Sequence, residues 1–465
     1  MTKLDRRMRL LGLCLLAIAT AIPASAQTYT ELLSFNGTTA AGPETPLTQG
    51  IDGSLYGTTI YGGTGTCSGT GIGCGVIFKL TPDNGFRILY NFQTSGPTEP
   101  VNNLRLGYDG NLYGTTYNSI YKVTPEGGFT VLHTFPGGAG GSDLSGGLIQ
   151  GVGGDFYGTT RAGGTPSNSC PSGCGTIYKM TATGVVTTIY SFCPQNYCPD
   201  GESPVGNLAQ GPDGNFYGTA FYGGLYKAGT FFKITPNGHF TLLYTFDFNS
   251  PQVLGGVILA TDGNFYGATY NSLYRMTPQG AYTLLPNPGN VPLPPVQGND
   301  GNFYGITQEG GNSNEGNIFE MPLDGSTYSD LYTFTGYPSD GSYPYNGLVQ
   351  RTNGQFYGVT FTGGSSPCNY GNAPGCGTIF SEDVGLAPFV AFVRGAARVG
   401  QKFGLLGQGF TGTTSVSLNG TPVSFTIKSD TLIGATVPAG ATTGNVTVTT
   451  PSGTLTSDVQ FHVIP

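Results

Sequence analysis

The sequence predicts an all-β protein made of one four-stranded unit repeated seven times, and three observations predict it. Apolar and aromatic residues fall in short alternating runs separated by Gly, Pro, Asn and Asp, the pattern of half-buried strands joined by tight turns. A turn followed by "[FL]YG" occurs seven times: "DGSLYGTT" from Asp52, "DGNLYGTT" from Asp109, "GGDFYGTT" from Gly153, "DGNFYGTA" from Asp213, "DGNFYGAT" from Asp262, "DGNFYGIT" from Asp300 and "NGQFYGVT" from Asn353. A second fragment also occurs seven times, as "VIFK" at 76, "SIYK" at 119, "TIYK" at 176, "TFFK" at 230, "SLYR" at 272, "NIFE" at 317 and "TIFS" at 378. The repeated tyrosines, from Tyr56 to Tyr357, span 301 residues over six intervals, a period of about 50. Periods of this size belong to propellers or solenoids.

Each unit reads as four strands. The first resembles "NLRLGY". A D-G pair then reverses the chain, because Gly supplies positive φ and Asp tolerates the turn. "NLYGTT" is the second strand and "SIYKVT" the third. A T-P-x-G turn follows, with Pro fixing φ and Gly closing it. The fourth strand appears as "FRILYNF" (86–92), "FTVLHTF" (129–135), "VTTIYSF" (186–192), "FTLLYTF" (240–246), "YSDLYTF" (328–334) and the degenerate "YTLLPNP" (282–288). None follows the seventh unit, and one stands alone before the first: "YTELLSF", 29–35. The expectation is a seven-bladed β-propeller over residues 27–383, closed when the N-terminal strand completes the last blade.

The N-terminus reads as a leader. Lys3, Arg6, Arg7 and Arg9 precede an apolar run from Leu10 to Ile22, and Ala24-Ser25-Ala26 is a small-residue cleavage site, which makes Gln27 the first mature residue. The run is short for a membrane span, and Leu13 stands before Cys14 where a lipoprotein signal would place a small residue. No later segment reads as transmembrane. The protein is therefore expected to be secreted, periplasmic or cell-surface associated. Removing 1–26 leaves 14 basic and 25 acidic residues, a net charge of −11. Such a surface repels phosphate backbones, which argues against nucleic acid as a partner.

All 28 tyrosines lie before residue 388. Beyond it Val, Thr and Gly dominate, in "GQKFGLLGQGF" (400–410), "VSLNGTPVSF" (416–425) and "GATVPAGATTGNVTVTTPSG" (434–453). This is the alternation of a small β-sandwich, and the boundary is placed at "DVGLAP", with a second domain over 388–465. The tail resembles the IPT/TIG immunoglobulin-like family through Gly407, Gly409, Phe410, Val437, Pro438, Gly440, Gly444 and Val446. The resemblance implies architecture there, not a site. The unit "GNLYGTT…GG…GTIYKMT…G…YSF" resembles the GloVer tandem repeat of choice-of-anchor exported bacterial proteins over roughly 29–383, a resemblance that implies no activity.

Eight cysteines remain after the leader, in close pairs: Cys67/Cys74, Cys170/Cys174, Cys193/Cys198 and Cys368/Cys376. An even count in an exported chain reads as disulfides. Zinc at 170/174 with 193/198, whose spacing is ribbon-like, and crossed pairing between those two loops are the alternatives. Enzymes need convergent polar groups, and here His133 and His239 fall in or beside a fourth strand. No GxSxG, HExxH, P-loop or dinucleotide fingerprint appears, and neither a resident metal nor a cofactor is implied. The repeated Asp of the D-G pairs reads as turn chemistry. Glu44, Glu99, Asp143, Asp200 and Asp340, which recur ahead of the first strand, are either solvated loop charges or a ring at the central channel.

The 1–2 and 3–4 turns are short and uniform, whereas the 2–3 loops and blade-to-blade links vary and hold every cysteine pair. Variable loops on a rigid scaffold are where binding usually resides. The reading is a non-enzymatic binding or scaffold protein whose disulfide-bearing face, with Tyr370 among its aromatics, meets an extracellular glycan or cell-surface protein. The alternative is a polysaccharide hydrolase or lyase acting at the channel.

Overall fold

The computed structural model describes residues 27–67, 73–195, 197–247, 252–345, 347–370 and 373–464. The expected leader at 1–26 lies outside them. Among the described residues the regular elements are strands and a single 3-10 turn, Gly138–Gly140. No helix is long and apolar enough to cross a membrane.

Among the described residues the strands from Thr28 to Asp383 pair antiparallel into seven sheets of four or five strands and one two-stranded ribbon, Asn369–Tyr370 with Ala373–Pro374. Sheet one contains Thr48–Gln49, Leu55–Thr59, Val76–Leu80 and Phe86–Asn91, in that spatial order. Sheets two to six repeat it around Tyr113, Tyr157, Tyr217, Tyr266 and Tyr304. Sheet seven orders Gly341–Pro344, Phe356–Gly363 and Thr378–Asp383, and Thr28–Ser34 pairs with Thr378–Asp383 in the fourth place.

The repeated Y-G has a packing cause. In every sheet the third-strand aromatic lies over the glycine of the second strand: Phe78 over Gly57, Tyr121 over Gly114, Tyr178 over Gly158, Phe232 over Gly218, Tyr274 over Gly267, Phe319 over Gly305 and Phe380 over Gly358. A Cβ at any of these glycines would enter the ring. Sheets two, three and five use Tyr where the others use Phe, and the hydroxyls of Tyr121, Tyr178 and Tyr274 are buried without a hydrogen-bond partner. Burial also raises their pKa well above the ordinary range. Removing an unsatisfied buried hydroxyl is neutral or stabilising, so Tyr178→Phe is expected to leave the melting temperature unchanged or higher. A lower value in thermal denaturation would refute this.

The D-G turns are equally regular. The hydroxyl of Tyr56 donates to Asp52 (2.9 Å), Tyr113 to Asp109 (2.9 Å), Tyr217 to Asp213 (2.9 Å), Tyr266 to Asp262 (2.8 Å) and Tyr304 to Asp300 (3.0 Å). The other carboxylate oxygen accepts the backbone N–H two residues on, as from Ser54 and Asn111. These aspartates are consumed in holding turns.

Adjacent sheets share cores. Tyr56, Ile77 and Phe92 of sheet one meet Leu112 and Tyr121 of sheet two, and equivalent clusters follow at each later junction. The cluster of Phe35, Leu47, Val76, Phe78, Tyr357 and Ile379 joins sheet seven to sheet one. Fourth strands also stack on one another: Tyr90 on Phe129 (3.8 Å), Tyr190 on Phe240 (4.3 Å), Tyr244 on Tyr282 (5.1 Å) and Tyr332 on Tyr29 (3.8 Å). Tyr29 thus holds the position that Phe129, Phe240 and Tyr282 hold in other sheets.

Beyond residue 388 two small sheets enclose a separate core. One contains Ala391–Phe392, Lys402–Leu406, Leu432–Thr436 and Ser424–Ser429. The other contains Thr421–Pro422, Ser415–Leu418, Val446–Thr450 and Gly453–Thr456. Phe403, Leu405, Phe410, Val416, Ile433, Val448 and Phe461 fill the space between them. This part seats on the D-G turns. Arg394 donates to the Val152 carbonyl (2.9 Å) and lies over the Tyr108 ring (5.2 Å), and Thr431 donates to the Ile51 carbonyl (3.0 Å). Asn299 reaches the Ala387 carbonyl (2.9 Å), and the Phe389 N–H reaches that of Thr352 (3.1 Å).

Candidate functional site

Neighbouring sheets exchange hydrogen bonds along and beside their first strands. Thr48 donates to the Leu104 carbonyl (2.6 Å), Asn102 to Leu144 (2.9 Å) and Ser145 to Pro204 (2.6 Å). At the D-G end five glutamines act as clasps. Gln150, Gln210, Gln297 and Gln350 each accept the N–H of Tyr108, Val152, Thr261 and Asn299 in the preceding sheet. Gln49 of sheet one accepts that of Thr352 in sheet seven (2.9 Å). This end is the one the C-terminal sheets cover.

The opposite end is where second strands finish and third strands begin. Its backbone is bent at one repeated position into the left-handed region, at Gly42 (φ 61°), Glu99 (54°), Asp143 (58°), Ser203 (54°) and Tyr343 (50°). Non-glycine residues there cost about 1–3 kcal/mol each and persist only where their surroundings fix them. Here the fixing bonds run from Gly42 N–H to the Cys376 carbonyl (3.0 Å) and from Ser203 N–H to that of Cys174 (2.8 Å).

Three of the five acidic residues singled out in the sequence come together at this end. Tyr117, at the end of a second strand, is 53% exposed. Burial of the rest of its ring, then the charges of Glu99, Asp143 and Glu44, hold its hydroxyl above the usual range, so all three carboxylates lie within electrostatic reach of it. Glu44 is pushed up to about 7, first by burial and then by Glu99. The Tyr345 hydroxyl is raised by burial and by Glu44, and its ring lies 5.8 Å from that of Phe361. Tyr222 and Tyr270 extend the exposed aromatic rim. Sequence reasoning did not single out Tyr117 or Tyr345. Tyr345 emerges once the copies are aligned on the buried leucine of the first strand, which places it in the Glu44 position.

Asp200 and Asp340 go elsewhere. Asp340 is 4% exposed and accepts the Tyr332 hydroxyl (2.6 Å) and the N–H groups of Thr335 (2.9 Å) and Gly336 (2.7 Å). Asp200 accepts the Tyr190 hydroxyl (2.7 Å) and the Cys193 N–H. Each pins a link between sheets and has no free oxygen to offer a channel. Tyr370 lies on the two-residue strand Asn369–Tyr370, and its side chain is outside the described residues. His133 sits in a fourth strand, edge-on to Phe135 (4.7 Å).

Disulfides join Cys67 to Cys74, Cys170 to Cys174, Cys193 to Cys198 and Cys368 to Cys376. All four lie at the Tyr117 end. They place the protein among those that mature in an oxidising, secreted or cell-surface compartment. This end thus presents an exposed tyrosine face near three carboxyl groups, one of which burial raises to about 7.

Family comparison accounts for most of the chain. The Gloeobacter/Verrucomicrobia repeat matches residues 64–273 and 255–403. The chain belongs to the Gloeobacter/Verrucomicrobia repeat family. The IPT/TIG domain matches residues 394–463, so in this repeat protein it is the TIG domain that covers the D-G end. A search of curated proteins finds no match. Among solved structures the repeat protein is similar to a streptogramin B lyase, with a TM-score of 0.53 and 19% identity over 77% of this chain and 97% of that one. It is similar to a catalytically inactive histidine-to-alanine virginiamycin B lyase of Staphylococcus aureus with quinupristin, with a TM-score of 0.53 and 15% identity over 77% and 99% of the chains. It is also similar to a fungal alcohol oxidase in complex with copper, with a TM-score of 0.52 and 11% identity over 94% and 99%. At these identities the likeness is one of fold: all-β and propeller-like, with a TIG domain.

Proposed function

We propose that this is an exported seven-bladed propeller over residues 27–383, closed by its N-terminal strand and followed by an immunoglobulin-like domain over 388–465. It acts as a non-enzymatic binding or scaffold module outside the cell. Its ligand face is the end that carries the disulfides, and its partner is a glycan or a cell-surface protein. One observation carries this reading: the two ends of the array are unlike. The TIG domain caps the D-G turns, while the other end combines four disulfides, the strained bends and the Tyr117–Glu44–Glu99–Asp143 group. A disulfide pre-orders a loop and lowers the entropy cost of binding. Exposed tyrosines offer the flat surface on which the C–H face of a sugar ring stacks, and carboxylates accept its hydroxyls.

The mature protein screened against glycans and bacterial surfaces is expected to bind. Tyr117→Ala should weaken binding about tenfold, the equivalent of about 1.4 kcal/mol. Grafting the short Tyr117-Asn118-Ser119 turn in place of the long loops at 61–75, 162–175 and 362–377 should abolish it. Binding undiminished in both variants, with the fold intact, would move the active surface elsewhere.

A polysaccharide hydrolase or lyase is the second reading, and Glu44 favours it. A half-buried carboxyl raised toward neutrality by burial and by the Glu99 charge suits a general acid. Turnover of a plant or cell-wall glycan that disappears in Glu44→Gln while binding persists would establish this reading over the first. The likeness to the lyases does not itself argue for it, since at 15–19% identity it is one of fold alone.

A further inference from the structure

We propose that Cys170, Cys174, Cys193 and Cys198, once reduced, form a tetrathiolate site for a soft divalent metal, zinc by geometry. The four Sγ atoms all lie within 4.8 Å of one another. The two disulfides meet at Cys174 and Cys198, whose sulfurs are 3.6 Å apart without being bonded to each other. Tetrahedral zinc with Zn–S of about 2.3 Å sets its sulfurs about 3.8 Å apart. The Cys174–Cys198 spacing already suits the metal, and no distance between the pairs exceeds 4.8 Å. The order C-x3-C, then C-x4-C eighteen residues later, lies close to ribbon-type spacing. Cys174, Cys193 and Cys198 are buried, and Cys170 is partly exposed, which gives the ion an entry side. Ser167 supports the cluster, accepting the Cys170 N–H (3.2 Å) with its hydroxyl 3.5 Å from the Cys193 sulfur.

The site would do what the disulfides do not. Cys170–Cys174 and Cys193–Cys198 close separations of four and five residues, within one loop each. Short loops lose little entropy on closure, so each bridge constrains the chain weakly. A metal held by all four would tie the 2–3 loop of sheet three to the link that enters sheet four, across a shared core that contains Cys174, Phe192, Cys193, Cys198 and Phe216.

The chemistry balances as follows. Two equivalents of a phosphine reductant open the two disulfides; each phosphorus is oxidised to its oxide with the oxygen of one water, and each sulfur leaves as a thiol. Zn²⁺ then replaces four thiol protons, which pass to solvent, giving a centre of net charge −2. Uptake is therefore favoured by alkaline and opposed by acidic pH.

Cobalt(II) titrated into the anaerobically phosphine-reduced mature protein is expected to give the intense visible absorption of a tetrahedral cobalt thiolate at one ion per chain, and one equivalent of zinc should erase it. A Cys67→Ser, Cys74→Ser, Cys368→Ser, Cys376→Ser variant should keep the band. Cys174→Ser with Cys198→Ser should lose it. Where that pair lowers stability, the partly exposed Cys170→Ser alone should shift and weaken the spectrum. Zinc should also raise the melting temperature of the reduced protein. Absence of the band from the reduced parent, its survival without Cys174 and Cys198, or a reduced protein that zinc neither binds nor stabilises would each overturn the proposal.

Discussion

Deleting Thr28–Ser34 is expected to produce the largest loss of stability of any change to the propeller-like part. The deletion strips the fourth strand from sheet seven, exposes Thr378–Asp383 as an unpaired edge, and leaves Tyr332 without its stacking partner Tyr29. Naked edges self-associate, so the deleted protein should unfold at a much lower temperature and aggregate. A point substitution isolates the same effect. Phe35 directly follows this strand, is 2% exposed, and packs its ring against those of Phe78 (5.8 Å) and Phe86 (5.9 Å) of sheet one. Phe92, Phe135, Phe192, Phe246 and Phe334 occupy the same place after the other fourth strands, all buried. Phe35→Ala should cost about 3–5 kcal/mol and match Phe92→Ala. Calorimetry of the two variants decides the matter. If Phe92→Ala destabilises and Phe35→Ala does not, the N-terminal strand contributes nothing to the array.

Glu382 provides the second large effect. It pairs with Phe356 at a register position held by Leu80, Val123, Met180, Ile234, Met276 and Met321 in the other six sheets. It is 1% exposed, and among the described residues no basic group forms an ion pair with it. Burial first, then the neighbouring Asp383 charge, push its carboxyl up to about 7, and neither carboxylate oxygen has a hydrogen-bond partner. The sign follows from linkage. Between the unfolded pKa of about 4.3 and the folded value of about 7, the native state holds a proton that the unfolded chain has released. Stability therefore falls as pH rises through that window and levels off above it. Glu382→Met should gain about 1–2 kcal/mol at pH 8, after allowance for solvent screening, and should flatten the profile between pH 4.5 and 7. Glu44, at about 7, and Asp458, raised by burial to about 6, leave a residual slope of the same sign. Chemical denaturation at pH 5 and pH 8 measures both. A Glu382→Met variant no more stable than the parent at pH 8 would mean that the carboxylate is already solvated.

The strands were legible because each is written seven times. Aligned copies show which residues recur, and recurrence at a fixed place in an alternating pattern is packing information. The glutamine clasps were written there too, at 49, 150, 210, 297 and 350, yet a polar residue in a short strand reads as solvent-facing until its neighbour across the sheet junction is known. The acidic set was misleading for a related reason. Counted back from the buried leucine of the first strand, Glu44 stands three residues away, Glu99 and Asp143 five, and Asp200 and Asp340 eight. An offset of eight lies inside the link, where a carboxylate is drawn into backbone N–H groups and a tyrosine hydroxyl. The cysteine pairs 170/174 and 193/198 left several pairings open in the sequence because all four thiols do converge in space.

The partnership of Thr28 with Asp383 bridges 355 residues of chain. Closing a loop of that length costs about 5 kcal/mol of chain entropy, and contacts so distant in sequence are the ones that slow folding. The disulfides, by contrast, join residues four to eight apart and can form as soon as each loop meets an oxidant. Before Thr28–Ser34 and Thr378–Asp383 meet, the latter presents an unpaired edge. Pairing of Thr28–Ser34 with Thr378–Asp383 is therefore expected to be a slow step of folding, and an array lacking either strand is expected to remain a template for joining its neighbours.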